Sequence, residues 1–298
     1  MRLVFLVPVF NERETLEALA DGIARHTPQP DYRVLFVDDG STDGSYEVMR
    51  ALHQRDSRIG VLKLRGNHGK TRALAAGIAR AEGDVLLTMD ADLQDDPREI
   101  PKLLAKLEEG YDMVCGWKAD RRDPWHKVIP SRVYNAVVGR LFGLPLRDLN
   151  SGFKAMRMEL AKRLPLYGDM HRMMVVFAAN MGGKIAEVPV LHHPRRYGRS
   201  KYGFRRFYEG IRDALAVWVI TRLSRETEHL LERACMAAAV VAFTLAPFLL
   251  RGGSILSASL LVALALCAIF AWRIFHVAGQ SLDAAHADPT RFIEHELM

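Results

Sequence analysis

The sequence predicts an α/β protein: a mostly parallel, Rossmann-like sheet with helices on both faces, then a juxtamembrane amphipathic helix and a two-helix transmembrane hairpin. Three observations predict it. Short apolar runs alternate with helical stretches through the first 115 residues, polar and acidic clusters follow the apolar runs, and residues 234–272 carry Arg251 as their only charge. Alternating strand and helix patterns favour a parallel sheet covered on both sides.

The strand candidates, in order, are "LVFLVPVF" (3–10), "YRVLFVDDG" (32–40), "IGVLKLRG" (59–66), "GDVLLTMDAD" (83–92) and "DMVCGWK" (112–118). Each is a short apolar run suited to burial on both faces. Between them lie the helix candidates "ETLEALADGIARH", "GSYEVMRALHQR", "KTRALAAGIARA" and "PREIPKLLAKLEEG". The first run is short and leads into "NERE" without a small-residue cleavage site, so it reads as a buried strand rather than a signal peptide. The 298-residue chain is 49% hydrophobic and 26% charged, enough for one large domain or two smaller ones. Cys115, Cys235 and Cys267 are widely spaced and suit neither a metal site nor a disulfide framework, which fits a reduced compartment.

In open parallel sheets, ligands bind beyond the carboxyl ends of the strands. "NERE", "DDGSTDGS", "GNHGKT" and "DADLQDD" all fall there. Asp90 and Asp92 end the fourth strand. Carboxylates are hard ligands, suited to Mg²⁺ or Mn²⁺, and such an ion takes one or two of them and completes its shell with substrate phosphates and water. Gln94 can add a neutral oxygen. Asp95 and Asp96, before Pro97, read instead as caps of the next helix. Asp38 and Asp39 form a second acidic strand end, able to accept hydrogen bonds from a base or ribose, while Thr42 and Asp43 cap the helix behind it.

The segments "VPVFNERE", "FVDDGSTDGS", "GNHGKTRAL" and "MDADLQDDP", with "DLNSGFKAMR" and "RRYGRSKYG" further on, resemble the family 2 inverting glycosyltransferases of the GT-A fold, and among them the polyprenyl-phosphate glycosyltransferases. The resemblance spans residues 3 to 222. It implies a nucleotide-sugar donor (a UDP- or GDP-sugar) and a polyprenyl phosphate acceptor, undecaprenyl or dolichyl. It also implies that Pro8, Asn11, Glu12 and Asp39, with Lys70 and Asp90, bind the nucleotide. Asp90, Asp92 and Gln94 would hold the metal and diphosphate. Asp92 and Asp148 are the expected catalytic residues, Asp148 as a base or sugar-orienting group, or else as a helix cap or loop acid. Ser151, His171 and Arg172 are expected in the sugar or acceptor pocket. After "MHR" (170–172) relatives continue with an "FIP"-like stretch where this chain has "MMVVFA", and the "QxxRW" of processive relatives is absent, which points to a single transfer.

The net charge of +6 calls for an anionic partner. The arginines and lysines cluster before the apolar segments, where a bilayer rather than nucleic acid explains them. Arg132, Arg199, Ser200 and Lys201 are the expected acceptor-phosphate contacts, since guanidinium forks match phosphate oxygens. Phe204, Phe207, Tyr208, Ile211, Leu215, Trp218 and Val219 recur at helical spacing and suit an interfacial helix. In the helix candidate at 125–144, Trp125, Val133 and Phe142 face either lipid or core. Runs 234–250 and 255–272 are at the short end of spanning length. Positive flanks on both sides and only Arg251 between them put both ends in the cytoplasm. The expected layout is a catalytic domain at 1–203, an interfacial helix and linker at 204–233, a hairpin at 234–272 and a cytoplasmic tail at 273–298. That makes a multi-pass protein of the inner membrane, and the small residues Ala237 to Ala239 permit a homo-oligomer. The alternatives are another membrane lipid acceptor, a nucleotidyltransferase making nucleotide sugars, which calls for a Gly-rich loop that "VPVFNERE" lacks, and a non-catalytic scaffold, which calls for broken acidic motifs.

Overall fold

The structure is a computed structural model that describes residues 1–119, 125–166, 168, 170–194 and 288–298, with isolated residues between 212 and 272; residues 125–132 are described in backbone only. Met1–Gly203 and Ala287–Met298 form one compact unit, and Phe204–His286 form a second.

The first unit is built on β1 (Leu3–Val9), α1 (Leu16–His26), β2 (Tyr32–Asp38), α2 (Ser45–Arg55), β3 (Ile59–Leu64), α3 (Lys70–Arg80) and β4 (Val85–Thr88). Then come α4 (Ile100–Glu108), β5 (Met113–Lys118), α5 (Trp125–Phe142), β6 (Lys154–Arg157), α6 (Met158–Arg163), α7 (Met174–Asn180), β7 (Ile185–Val190) and β8 (Ile293–Leu297). The strands form one sheet in the order β7-β5-β6-β4-β1-β2-β3-β8. The pairs β1–β2, β1–β4, β2–β3 and β5–β7 are parallel; β4–β6, β5–β6 and β3–β8 are antiparallel.

The centre of the sheet follows from burial on both faces. Every residue of β1 except Pro8 is buried, which an apolar run tolerates and an alternating one does not. Leu3, Phe5, Val7 and Val9 pack on one face with Leu16, Leu19 and Ile23 of α1, Met49 of α2, and Ile100, Leu103, Leu104 and Leu107 of α4. Those helix positions recur at three and four residues, the stripe that turns one helix face to a sheet. Leu6 points the other way, against α3, which has α6 beside it.

All five expected strands are present, and β6, β7 and β8 join them. The four-residue β6 runs antiparallel between β4 and β5. β8 reads "IEHEL", with its middle residues exposed, so it has no apolar run to mark it. The chain's end, expected as a tail, thus includes a strand at the sheet edge. Cys115 is buried on β5, and burial pushes its thiol up to about 12, so it is inert.

In the second unit, the described residues of 212–221 are helical; Asp213, Ala214 and Val217 are buried and Trp218 is exposed. Among the described residues no helix is long and apolar enough to cross a membrane. The runs 234–250 and 255–272 lie almost wholly outside the described residues, as does most of 204–233.

Leu103 is fully buried between α4 and the sheet. Leu103→Ala should cost about 2–5 kcal/mol, read as a lower denaturant midpoint of the purified protein.

Candidate active site

The loops at the carboxyl ends of β1 to β4 hold their charges mostly with backbone amides. Asn11 follows β1 in a left-handed conformation (φ 56°). Its side-chain oxygen accepts from the Thr42 amide at 2.8 Å, and its own amide donates to Ser41 Oγ at 3.0 Å. The Glu12 amide donates to Ser45 Oγ at 3.0 Å. Asn11 therefore stitches the first loop to the second. The Asp43 carboxylate accepts from the Ser45 amide at 3.0 Å and the Arg13 amide at 3.2 Å, but the cap position of α2 is the left-handed Gly44, and Thr42 turns its amide to Asn11 instead. Asp38 is fully buried and accepts from the Ser41 amide at 2.9 Å. Asp39 accepts from the amides of His68 and Gly69 at 2.7 and 2.8 Å, one on each carboxylate oxygen. Burial raises both aspartates above the usual carboxylate range, and these amide bonds partly offset it.

Asp90 sits at the end of β4, half-buried, and accepts a hydrogen bond from Lys70 Nζ at the start of α3. Burial alone would raise its pKa. Lys70, and beyond it Lys118 and His171, outweigh that and hold the carboxyl well below its usual range. Gly152 makes room for it: a Cβ there would stand 2.7 Å from Asp90 Oδ2. The Gly152 carbonyl is itself fixed by the Thr88 hydroxyl at 2.7 Å.

Asp92 is buried one turn on, and Leu93 after it is left-handed (φ 57°). The Gln94 amide donates to Asp92 Oδ1 at 3.2 Å. The Gln94 side chain directs its nitrogen at the His193 carbonyl (3.2 Å) and keeps its oxygen as an acceptor. Asp96 caps the Pro97–Glu99 turn by accepting from the Arg98 amide at 3.0 Å, and it also meets the Arg98 guanidinium and His193 Nε2 at 2.8 Å. Asp95 departs from the capping expectation. It is buried, bridges to His192 after β7, and both its oxygens lack a hydrogen-bond partner among the described residues, with His192 Nδ1 3.8 Å away.

A cleft between these loops is lined by Pro8, Lys70, Asp90, Ser151, Lys154 and His171, among others. Five of those six were expected from the sequence. His171 is held by Thr71 of α3, whose hydroxyl lies 2.8 Å from Nδ1. Ser151 turns its hydroxyl to the Phe153 amide at 3.3 Å. Asp148 is buried, its amide donates to Glu187 at 2.8 Å, and its Oδ1 has no hydrogen-bond partner among the described residues. Arg172 is half-buried beside His171. Arg199, Ser200, Lys201 and the Arg132 side chain lie outside the described residues.

Sequence reasoning missed Lys154 and Gly152. Lys154 is buried in β6 and donates to the Ser151 carbonyl; burial lowers its pKa. A lysine inside the run "GFKAM" was a usable signal, but only once that run is read as a strand. Asp90 and Asp92 fit a divalent cation by their chemistry. Among the described residues no three His, Cys, Asp or Glu side chains converge on one point. The described residues therefore offer a cation here no more than the Asp90 and Asp92 carboxylates, the number Mg²⁺ or Mn²⁺ keeps when phosphates and water complete its shell.

Residues 4–165 match the model of "Glycosyl transferase family 2". The chain is 34% identical over 236 residues to the "Dodecaprenyl-phosphate galacturonate synthase" of Rhizobium johnstonii, covering 77% of this chain and 70% of that one. It is 33% identical over 221 residues to the "Undecaprenyl-phosphate 4-deoxy-4-formamido-L-arabinose transferase" of Edwardsiella ictaluri, covering 73% and 68%. In fold it is similar to the glucosyl-3-phosphoglycerate synthase of Mycobacterium tuberculosis, solved with Mn²⁺, UDP and glucosyl-3-phosphoglycerate, with a TM-score of 0.57 at 21% identity over 74% of this chain and 79% of that one.

Two outcomes follow from this geometry. Gly152→Ala should displace Asp90 and lower kcat/KM about a hundredfold with little change in Tm, as an ångström-scale misplacement does. Burial tends to raise Asp96, but Arg98 and His193 outweigh it and hold its carboxyl below the unfolded value. Its contribution to stability is therefore complete above the unfolded pKa of about 4 and is lost as pH falls through the folded one. Asp96→Asn should flatten the decline of the urea midpoint below about pH 5.

Proposed function

Since the chain belongs to glycosyl transferase family 2, and so is a glycosyltransferase, we propose that it moves one sugar from a nucleotide-diphosphate sugar to polyprenyl phosphate, with inversion at the anomeric carbon. The observation that carries this reading is the cleft at the strand ends, where Pro8, Lys70, Asp90, Ser151 and His171 meet from five separate stretches of chain. The names of the two relatives, one a dodecaprenyl-phosphate and one an undecaprenyl-phosphate enzyme, supply the acceptor class.

Asp39 and the loop amides around it line the nucleotide, with Asn11 and Glu12 beside them. Asp90 and Asp92, with the Gln94 oxygen, hold Mg²⁺ or Mn²⁺, which when bound neutralises charge on the departing diphosphate. Lys70 stands beside Asp90 and adds a positive charge to the same place. Ser151, His171 and Arg172 bound the sugar. His171 is pinned to Thr71, so its ring is oriented before the donor arrives.

The nucleophile is a phosphate oxygen of the lipid. A phosphate monoester has its second pKa near 6, so at neutral pH it is largely dianionic and needs little proton removal. The harder task is to bring two anions together. Arg199, Ser200 and Lys201, with Arg132, serve the acceptor phosphate. Asp148, buried with one open oxygen, orients the sugar or takes up a proton.

The acceptor's chain places the enzyme at a bilayer. Val133 and Val137 lie one turn apart on α5 and are exposed at 48% and 53%. A pair of exposed valines on one helix face suits lipid better than water. Met236 and Val240, helical and exposed, stand in the first of the two apolar runs that we read as a hairpin with both ends in the cytoplasm.

The test is sugar transfer by the detergent-purified chain, given a panel of UDP- and GDP-sugars with or without undecaprenyl phosphate, and with Mn²⁺ or a chelator. A lipid-linked monosaccharide is expected only when metal and lipid phosphate are both present, and Asp92→Ala should abolish it. Transfer of sugar to water or a soluble acceptor without the lipid would overturn the acceptor assignment.

A further inference from the structure

The last residues of the chain, after the apolar hairpin, lie against the loop that holds Asp39. Asp288 accepts from the Thr290 amide at 2.8 Å and starts the Pro289–Phe292 turn. β8 then pairs antiparallel with β3, Val61 opposite Leu297 and Lys63 opposite His295, with an irregularity between Lys63 and Leu64. The pairing continues past the strand, where the Arg65 amide donates to the Phe292 carbonyl at 3.0 Å. Two ion pairs run alongside, Lys63 to Glu294 at 3.4 Å and Arg80 to Glu296 at 3.2 Å.

Phe292 connects this segment to the site. Its ring lies 4.6 Å from the His68 ring, and the Arg72 guanidinium lies 5.0 Å from it on the α3 side. His68 and Gly69 are the residues whose amides hold the two Asp39 oxygens. The loop is tight on its other side as well. Gly40 is left-handed (φ +75°), and a Cβ there would meet the Gly66 carbonyl carbon at 2.6 Å. The β3–α3 loop is thus clamped between the β2 loop and Phe292, in a stretch rich in glycine that has little stiffness of its own.

We propose that residues 288–298 are a working part of the donor site, with Phe292 a positioning residue that fixes His68 and Gly69 and so the Asp39 carboxylate. This rests on the reading that Asp39 lines the donor nucleotide. It makes donor affinity depend on chain that follows the apolar hairpin, although every residue expected to touch the nucleotide precedes it.

Full-length protein in detergent tests this with Phe292→Ala, Phe292→Tyr and Asp39→Asn. Phe292→Ala should raise the donor KM about five- to tenfold, the scale of a lost aromatic contact. The KM for lipid phosphate and kcat should stay within about twofold, and Phe292→Tyr should restore the donor KM. If Phe292→Ala lowers Tm by more than about 5 °C, His68→Ala replaces it, since it removes the other ring and leaves β8 intact. A donor KM raised by Asp39→Asn and untouched by loss of the ring pair overturns the role of Phe292. A donor KM untouched by Asp39→Asn overturns the premise instead. Equal effects on both substrates reduce the segment to a structural part and overturn the proposal.

Discussion

A carboxylate at the buried end of a strand is stable only where something meets its charge, and Asp90 is the centre of that problem here. It stands at the end of β4, in the middle of the sheet, and it is met by Lys70 from the first turn of α3. The approach is possible because Gly152, on the chain entering β6, has no side chain to block it. Three segments far apart in sequence therefore meet at one carboxylate. Move any of them and the carboxylate loses the partner that fixes its position.

The other acidic strand ends solve the same problem with backbone. Asp39 and Asp43 each accept two amides, and Asp38 accepts one. These bonds fold the loops into fixed shapes and partly offset the rise that burial imposes on Asp38 and Asp39. The cost is that much of each aspartate's bonding capacity is spent on the protein. Asp148 Oδ1, by contrast, is buried without a hydrogen-bond partner among the described residues. The segment beyond β7 is stapled to the same region, since Gln94, Asp95 and Asp96 face His192 and His193.

The edge of the sheet shows a second economy. A bare edge strand exposes unpaired amides and carbonyls. β8 covers β3 on that side, with glutamates at 294 and 296 paired to Lys63 and Arg80. The cover is polar, as an edge facing water should be.

Much of this was legible in the sequence. Apolar runs spaced by helical stretches are enough to specify a parallel sheet, because only strands buried on both faces can be that apolar. The acidic clusters then had to fall at the carboxyl ends, and Asp39 and Asp90 were nameable for that reason, while Pro8, Asn11 and Lys70 came only with the family resemblance. Three kinds of fact were not. The register that sets Lys70 on Asp90 depends on how α3 packs over the sheet, and no local pattern encodes it. Gly152 and Lys154 matter through β6, a four-residue strand too short to leave a periodic signal. β8 carries three exposed polar residues between two apolar ends, like many surface segments, and its partner β3 lies more than two hundred residues earlier. Local chemistry determined which residues could serve the site. Tertiary packing decided which of them meet, because contact between distant segments is set by the shape of the whole core rather than by any stretch of chain.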